Sequence, residues 1–210
     1  INANTDPKNA SSKINVDLST TIDNQINNGA NDLNDLESKL KLWLDSKNIN
    51  ASENRGINND DSISRWLDLS GNGNVAKQTI TSAQPKFNDN KGIIFDGTND
   101  GLLIPNSSSM KLANYSILIL LKPNGTPISS EVNILGKPGN THLKITNNNK
   151  ASHSFKSSSN NSDSIPDATG VQFNTINLLE IANTGTIAST IINGLNTVSA
   201  TKSAQIPVDG

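Results

Sequence analysis

Apolar residues in this chain arrive in short runs separated by stretches rich in Asn, Gly and Ser. In residues 40–46, Leu40, Leu42 and Leu44 alternate with Lys41 and Trp43, the period of two expected of a half-buried strand. Residues 48–61 are polar and read as a loop. Residues 62–69 then give a second strand, with Trp66 on one face and Ile63, Arg65 and Leu67 on the other. The SGNGN that follows requires a tight turn, because Gly71 and Gly73 tolerate positive φ. Residues 92–95 and 102–104 form a predicted hairpin around DGTNDG. The run SILILL at 116–121 suits a strand buried on both faces. Further strands are expected at 132–135, 142–146, 171–182 and 186–192, the last ending in a turn at Asn193 and Gly194, while 151–167 reads as a long loop or weak edge.

The N-terminal part follows a different pattern. Residues 1–18 are polar and read as a linker. Over 19–39, Ile22, Ile26, Leu33 and Leu36 fall near helical spacing, with Ser19 or Thr20 as N-cap, so a helical arm is predicted. Asn27, Asn28 and Gly29 interrupt it, giving either one broken helix or a short one over 31–39. The arm either docks on the β domain or forms the lower part of an anchoring stalk. The remaining residues, 40–210, form one domain. The fold class is all-β: a two-sheet antiparallel jelly-roll sandwich carrying an N-terminal helical arm.

Composition agrees with many short strands and polar connections. Asn makes up about one residue in six, which favours turns over a helical bundle. Hydrophobic content is 33% and aromatic content 3%, so the core is lean, but the clustering of its apolar residues argues against disorder. Net charge is -2 without a Lys/Arg cluster, which speaks against nucleic acid as a partner. No apolar run approaches bilayer-spanning length, so a soluble chain is expected. There is no Cys, hence no disulfide framework or thiolate metal site. The chain opens at Ile1 and its one Met is Met110, which reads as removal of an upstream leader or anchor, with simple trimming equally compatible; on the first reading the protein is expected outside the cell or on a bacterial-type surface.

Candidate chemistry is sparse. Asp68, Ser70, Asn72 and Asn74 offer oxygen ligands at alternate positions, as at the start of a calcium loop, but Thr79 occupies the position where such a loop places its bidentate acid. The bland alternative is that Asp68 and Ser70 bond the turn backbone. A second polar tip, Asp96, Asn99 and Asp100, completes a calcium or ligand site if the two turns meet. Calcium is the sole cofactor considered. Trp43 and Trp66 are assigned to the core instead of to sugar stacking, since each lies in an alternating segment. Catalysis is not expected: Glu37, Glu53, Glu131 and Glu180 are dispersed, whereas retaining glycan hydrolysis needs two carboxylates about 5 Å apart. His142 and His153 lack metal or nucleophile spacing.

The succession LWLD, WLDLSGNGN, a loop from Gln78 to Pro85, and FDGTND resembles laminin-G-like modules of the concanavalin A-like jelly-roll superfamily. Residues 116–122 are similar to that family's central strand, and Ile191, Ile192, Asn193 and Gly194 to its strand-then-Asn-Gly hairpin. The resemblance covers about 40–198 and implies a sandwich with ligand sites, sometimes calcium-dependent, at its loop rim. It implies a non-catalytic surface module for adhesion, binding a glycan or protein through loop tips. Members usually continue past that hairpin with closing strands, and little sequence remains here. A neighbour could supply the missing edge, so self-assembly through an open sheet edge is the rival expectation: a filament subunit of pilin-like plan, helix plus β head.

Overall fold

In a computed structural model, residues 38–48, 56–127, 130–137, 141–156 and 162–201 are described. The chain divides into two compact units at residue 105. All named strands pair antiparallel. The polar linker lies outside the described residues, as does the helical arm except for Ser38 and Lys39, which are helical. Among the described residues no helix is long and apolar enough to cross a membrane.

The N-terminal unit has little regular sheet. β1 (Arg65–Trp66) pairs with β2 (Ala76–Lys77), and β3 (Lys86–Asn88) with β4 (Gly92–Ile94). Single bridges join Ser62 to Lys86 and Lys77 to Leu103. Ile63 and Phe87 are buried at the centre, with Ile57, Trp66 and Ile93 packed around them. A 3-10 turn at Ser46–Asn48 lies against the start of β4, where Gly92 has φ 84°; a Cβ there would come within 2.8 Å of the Ser46 hydroxyl.

Three expectations fail in this unit. Residues 40–45 are not a strand but an irregular segment with a bend at Lys41 and no ladder partners, and Trp43, expected in the core, is 45% exposed. The alternation of leucines there does not sort into a buried and an open face, since Leu40, Lys41, Leu42, Leu44 and Asp45 are all half-buried. Of the strand expected at 62–69, only Arg65–Trp66 and the Ser62 bridge are regular. The hairpin between 92–95 and 102–104 does not form. β4 folds back on β3 instead, through the turn at 89–91, and the chain beyond the DGTNDG loop crosses to Lys77. Trp66 is half-buried and packs against Ile63 and Phe87, with its indole Nε1 shielded from solvent and without a hydrogen-bond partner.

The C-terminal unit is built from β5 (Tyr115–Leu121), β6 (Glu131–Lys137), β7 (Thr141–Thr146), β8 (Lys150–Lys156), β9 (Ser162–Ser164), β10 (Ala168–Thr169), β11 (Asn177–Thr184), β12 (Ile187–Ile192) and β13 (Asn196–Thr201). One sheet runs β13-β12-β11-β5 and the other β10-β8-β7-β6, with β9 also pairing to β8. Alternation sorts the residues of β5, β11 and β12 into two faces, while β6 has a register irregularity between Asn133 and Leu135. On β11, Asn177, Leu179, Ile181 and Asn183 are buried, and on β12, Ala188, Thr190 and Ile192. From the other sheet come Leu143, Ile145 and Ala151. Residues of both sheets join Ala168 and Val171 in one hydrophobic cluster, so the sheets stack face to face in a sandwich-like arrangement. Each fully buried Leu or Ile contributes about 1.5–3 kcal/mol by leaving water.

Three further expectations need correction here. The Ser-rich segment read as a loop contains β8, an interior strand bonded to β7 on one side and to β9 and β10 on the other. Ala151, His153 and Phe155 point inward while small serines and lysines alternate with them, which hides the strand from a hydrophobic scan. SILILL is half-buried on one face and open on the other, where Leu118 is 62% and Leu120 67% exposed, and among the described residues it lies at the edge of its sheet instead of the centre. β13 follows the Asn193–Gly194 hairpin and continues the sheet, although its polar text gives no apolar run.

Inside this core sits His153, 1% exposed, its ring 5.5 Å from that of Phe155. Neither ring nitrogen has a hydrogen-bond partner, and burial pushes its pKa down to about 4.

Candidate functional site

Both predicted polar turns lie in the N-terminal unit, and each is organised by one aspartate. Asp68 Oδ1 accepts the backbone N–H of Trp43 at 3.0 Å and of Ser70 at 2.9 Å, while Oδ2 accepts that of Asn74 at 2.9 Å. Burial alone would raise the pKa of Asp68, but these N–H donors and the Ser70 hydroxyl hold it below the ordinary carboxylate value. The carboxylate therefore closes the SGNGN turn, where Gly71 and Gly73 adopt φ of 80° and 72°, and ties it to residues 40–43.

Two asparagines strengthen that tie. Asn72 Nδ2 donates to the Leu40 carbonyl at 2.8 Å and Asn74 Nδ2 to the Lys41 carbonyl at 2.6 Å. Leu69 N–H donates to the Trp43 carbonyl at 2.8 Å. Asn72 N–H and Nδ2 both donate to the Ser70 hydroxyl. All four residues singled out as calcium ligands thus have direct roles in holding backbone or turn; Asn74 is buried, and Asn72 exposed.

The second tip is arranged in the same way. Asp96 Oδ1 accepts the N–H groups of Thr98, Asn99 and Asp100 at 2.8, 3.2 and 3.2 Å, and Asp100 Oδ2 accepts that of Asp96 at 2.9 Å. The Thr98 N–H leads in holding Asp96 below its usual pKa, opposed by desolvation and helped by the N–H groups of Asp100 and Asn99. Asp96, Thr98 and Asn99 are exposed and Asp100 half-buried. No hydrogen bond joins Asp96, Asn99 or Asp100 to the Asp68 turn among the described residues, so the two turns do not share one bonded site. Nor do the described residues hold a group of three or more His, Cys, Asp and Glu suited to a metal.

Sequence reasoning missed the residues that anchor the second tip. Gln78 Nε2 donates to the Gly101 carbonyl at 2.8 Å, and Gln84 Nε2 to the Gln78 carbonyl at 2.8 Å. Gly101 N–H donates to the Ala83 carbonyl, and Lys77 and Leu103 exchange two backbone bonds of 2.8 Å. The DGTNDG loop is therefore held at its base by β2 and the 3-10 turn Thr81–Ala83. The residues from Gln78 to Pro85 stand out in the sequence only through the resemblance, since a Gln reaching 23 positions along the chain leaves no local signal.

Of the dispersed carboxylates, Glu131 pairs with Lys144 on the exposed surface, and Glu180 lies on β11 opposite Leu118 of β5. No protein-family model matches this chain, and no curated protein matches it.

Proposed function

We propose that this chain is a non-catalytic recognition module of the laminin-G-like, concanavalin A-like kind. It works outside the cell or on a bacterial-type surface and binds a glycan or protein partner through its polar loop tips. The observation that carries this reading is the Asp96–Asp100 tip. The N–H groups of Asp96, Thr98, Asn99 and Asp100 are bound within the loop, which fixes it, while Thr98 and Asn99 are exposed. A pre-ordered polar loop has less conformational entropy to lose on binding. Polar groups of this type recognise hydroxyl-rich or peptide ligands through hydrogen bonds, often with bridging water.

The antiparallel sheets and the order LWLD, WLDLSGNGN, FDGTND support the family reading. The Asp68 turn has a structural part in this reading, because its carboxylate and asparagines are spent on backbone donors and acceptors of residues 40–43 and of the turn itself. A glycan array probed with the full chain, with and without calcium, tests the reading. Binding that Asn99→Ala together with Thr98→Ala abolishes, while the melting temperature is kept, is the expected result. No binding in either condition, to glycans or to extracellular-matrix proteins, overturns it.

A further inference from the structure

Two polar residues interrupt the apolar interior of the C-terminal unit at the same level, one on each sheet. The inward positions of β8 are Ala151, His153 and Phe155, and those of β12 are Ile192, Thr190 and Ala188. Ala151 and Ile192 belong to the larger buried cluster, Phe155 and Ala188 to the smaller. His153 and Thr190 therefore mark the seam between the clusters. Both are buried, and among the described residues neither ring nitrogen of His153 nor the Thr190 hydroxyl has a hydrogen-bond partner. Beside His153, β7 places Leu143, and just after β9 comes Ile165, whose N–H donates to the His153 carbonyl at 3.0 Å. Inward positions on β10, β11 and β13 hold Ala168, Ile181 and Val198, none of which ionises. The titratable groups that approach this layer are Lys137 and Asp163, in the next row of the same sheet with Thr141 and Phe155, and Tyr115 of the opposite sheet, which packs against both clusters.

We propose that His153 is an acid-sensitive joint: its protonation parts the two sheets of the C-terminal unit, while the N-terminal unit keeps its fold. An imidazolium carries a charge and two N–H donors, and its own row, Leu135, Leu143 and Ile165, holds no acid to pair with them. Thr190 supplies one neutral hydroxyl at most, too little to offset burial of the charge. The charged ring must therefore reach water, and from a seam between stacked sheets it does so only when they separate. The two units respond differently because their titratable groups differ. Both histidines of the chain, His142 and His153, lie in the C-terminal unit. In the N-terminal unit the clasping carboxylates of Asp68 and Asp96 are held below the ordinary value, so they stay ionised through mild acid. Each unit also has its own buried cluster and its own sheets. The joint goes beyond the recognition reading, because the loop tips belong to the unit that acid spares.

The chain supplies separate probes for its two units. Trp43 and Trp66, its two tryptophans, report the N-terminal unit, and far-UV circular dichroism is dominated by the long strands of the C-terminal one. Urea unfolding of the full chain, followed by both signals at pH 7 and at pH 5, tests the joint. With a folded pKa of about 4 against about 6.5 unfolded, the unfolding constant read by circular dichroism should rise about twentyfold between the two pH values, whereas the tryptophan midpoint holds. His153→Gln, which cannot take the proton, should remove the rise, and His153→Leu supplies the same measurement if that variant misfolds. His142→Gln and Asp163→Asn should each leave the rise in place. Two signals whose transitions coincide or shift together, a dichroism midpoint indifferent to pH, or a rise that survives both His153 variants overturns the proposal. So does a rise that disappears with His142→Gln or Asp163→Asn. Glycan binding plays no part in these measurements, so failure of either idea leaves the other standing.

Discussion

The two units of this chain reach order by different routes. The C-terminal unit relies on long antiparallel ladders and on two faces of alternating aliphatic residues, as in β11, where every second side chain is buried. The N-terminal unit has strands of two or three residues and a small cluster around Ile63 and Phe87. Side chains there do the work that a ladder does elsewhere. Asp68 gathers three N–H groups, Asp96 another three, and Asn72, Asn74, Gln78 and Gln84 each reach a distant carbonyl. Short polar side chains can stand in for backbone partners wherever the chain turns too often to form sheet. The high Asn content has the same explanation in the other unit: Asn177, Asn193, Asn174 and Asn114 all bond to turn or strand backbone.

Substitutions should separate the two routes. The largest effect is expected where aliphatic packing dominates. Leu179→Ala, at a fully buried position of β11, should cost roughly 3–4 kcal/mol in denaturant unfolding. A loss under 1 kcal/mol would mean that the stacked sheets do not carry this unit's stability.

Acid should act next, through His153. Its folded pKa of about 4 lies below the unfolded value near 6.5, so the unfolded chain binds the proton more readily. The neutral imidazole's contribution is complete above about pH 6.5 and is lost as pH falls toward 4, amounting to about 3 kcal/mol. His153→Leu should flatten stability over that range, and an unchanged pH profile in the variant would refute the assignment.

Asp68→Ala should come third, at about 2 kcal/mol, because it strands three backbone donors of which water can reach some. Since the folded pKa of Asp68 is depressed, the wild type's advantage over this variant is present above the unfolded carboxylate pKa and fades as pH falls below it. Comparing the urea midpoints of the two proteins at neutral and at acid pH checks both statements. The smallest change belongs to Lys144→Ala, which removes an exposed ion pair with Glu131 and should stay within about 0.5 kcal/mol in the same assay.

How far each unit could be foreseen follows the same division. β6, β7 and β12 are visible because their own residues alternate or run apolar, so the pattern is local; β11 is visible in part, since the strand expected from 171 begins only at Asn177. β8 is not, because its inward positions include His153 and its outward ones are small and polar. SILILL announces a strand but not its place in the sheet, since an apolar outer face looks the same in sequence as a buried one. In the N-terminal unit, the Asp-Ser-Gly-Asn turn and the DGTNDG tip are recognisable as turns from Gly71, Gly73 and the capping acids. What Asp68 reaches is not, because its partner Trp43 stands 25 residues away. The alternation in residues 40–45 predicts a strand, but the segment is held by side chains that come later in the chain, Asp68, Asn72 and Asn74, and leaves Trp43 at the surface.

The claim that side-chain clasps replace ladders in the N-terminal unit is tested most directly by residue-resolved amide hydrogen exchange on the wild type and Asp68→Ala. The account predicts that the amides of Trp43, Ser70 and Asn74 are protected in the wild type and exchange freely in the variant, while those of Leu179 and Ile181 keep their protection. Wild-type amides at 43, 70 and 74 that exchange as fast as open loops, or protection there that survives the loss of Asp68, would contradict it.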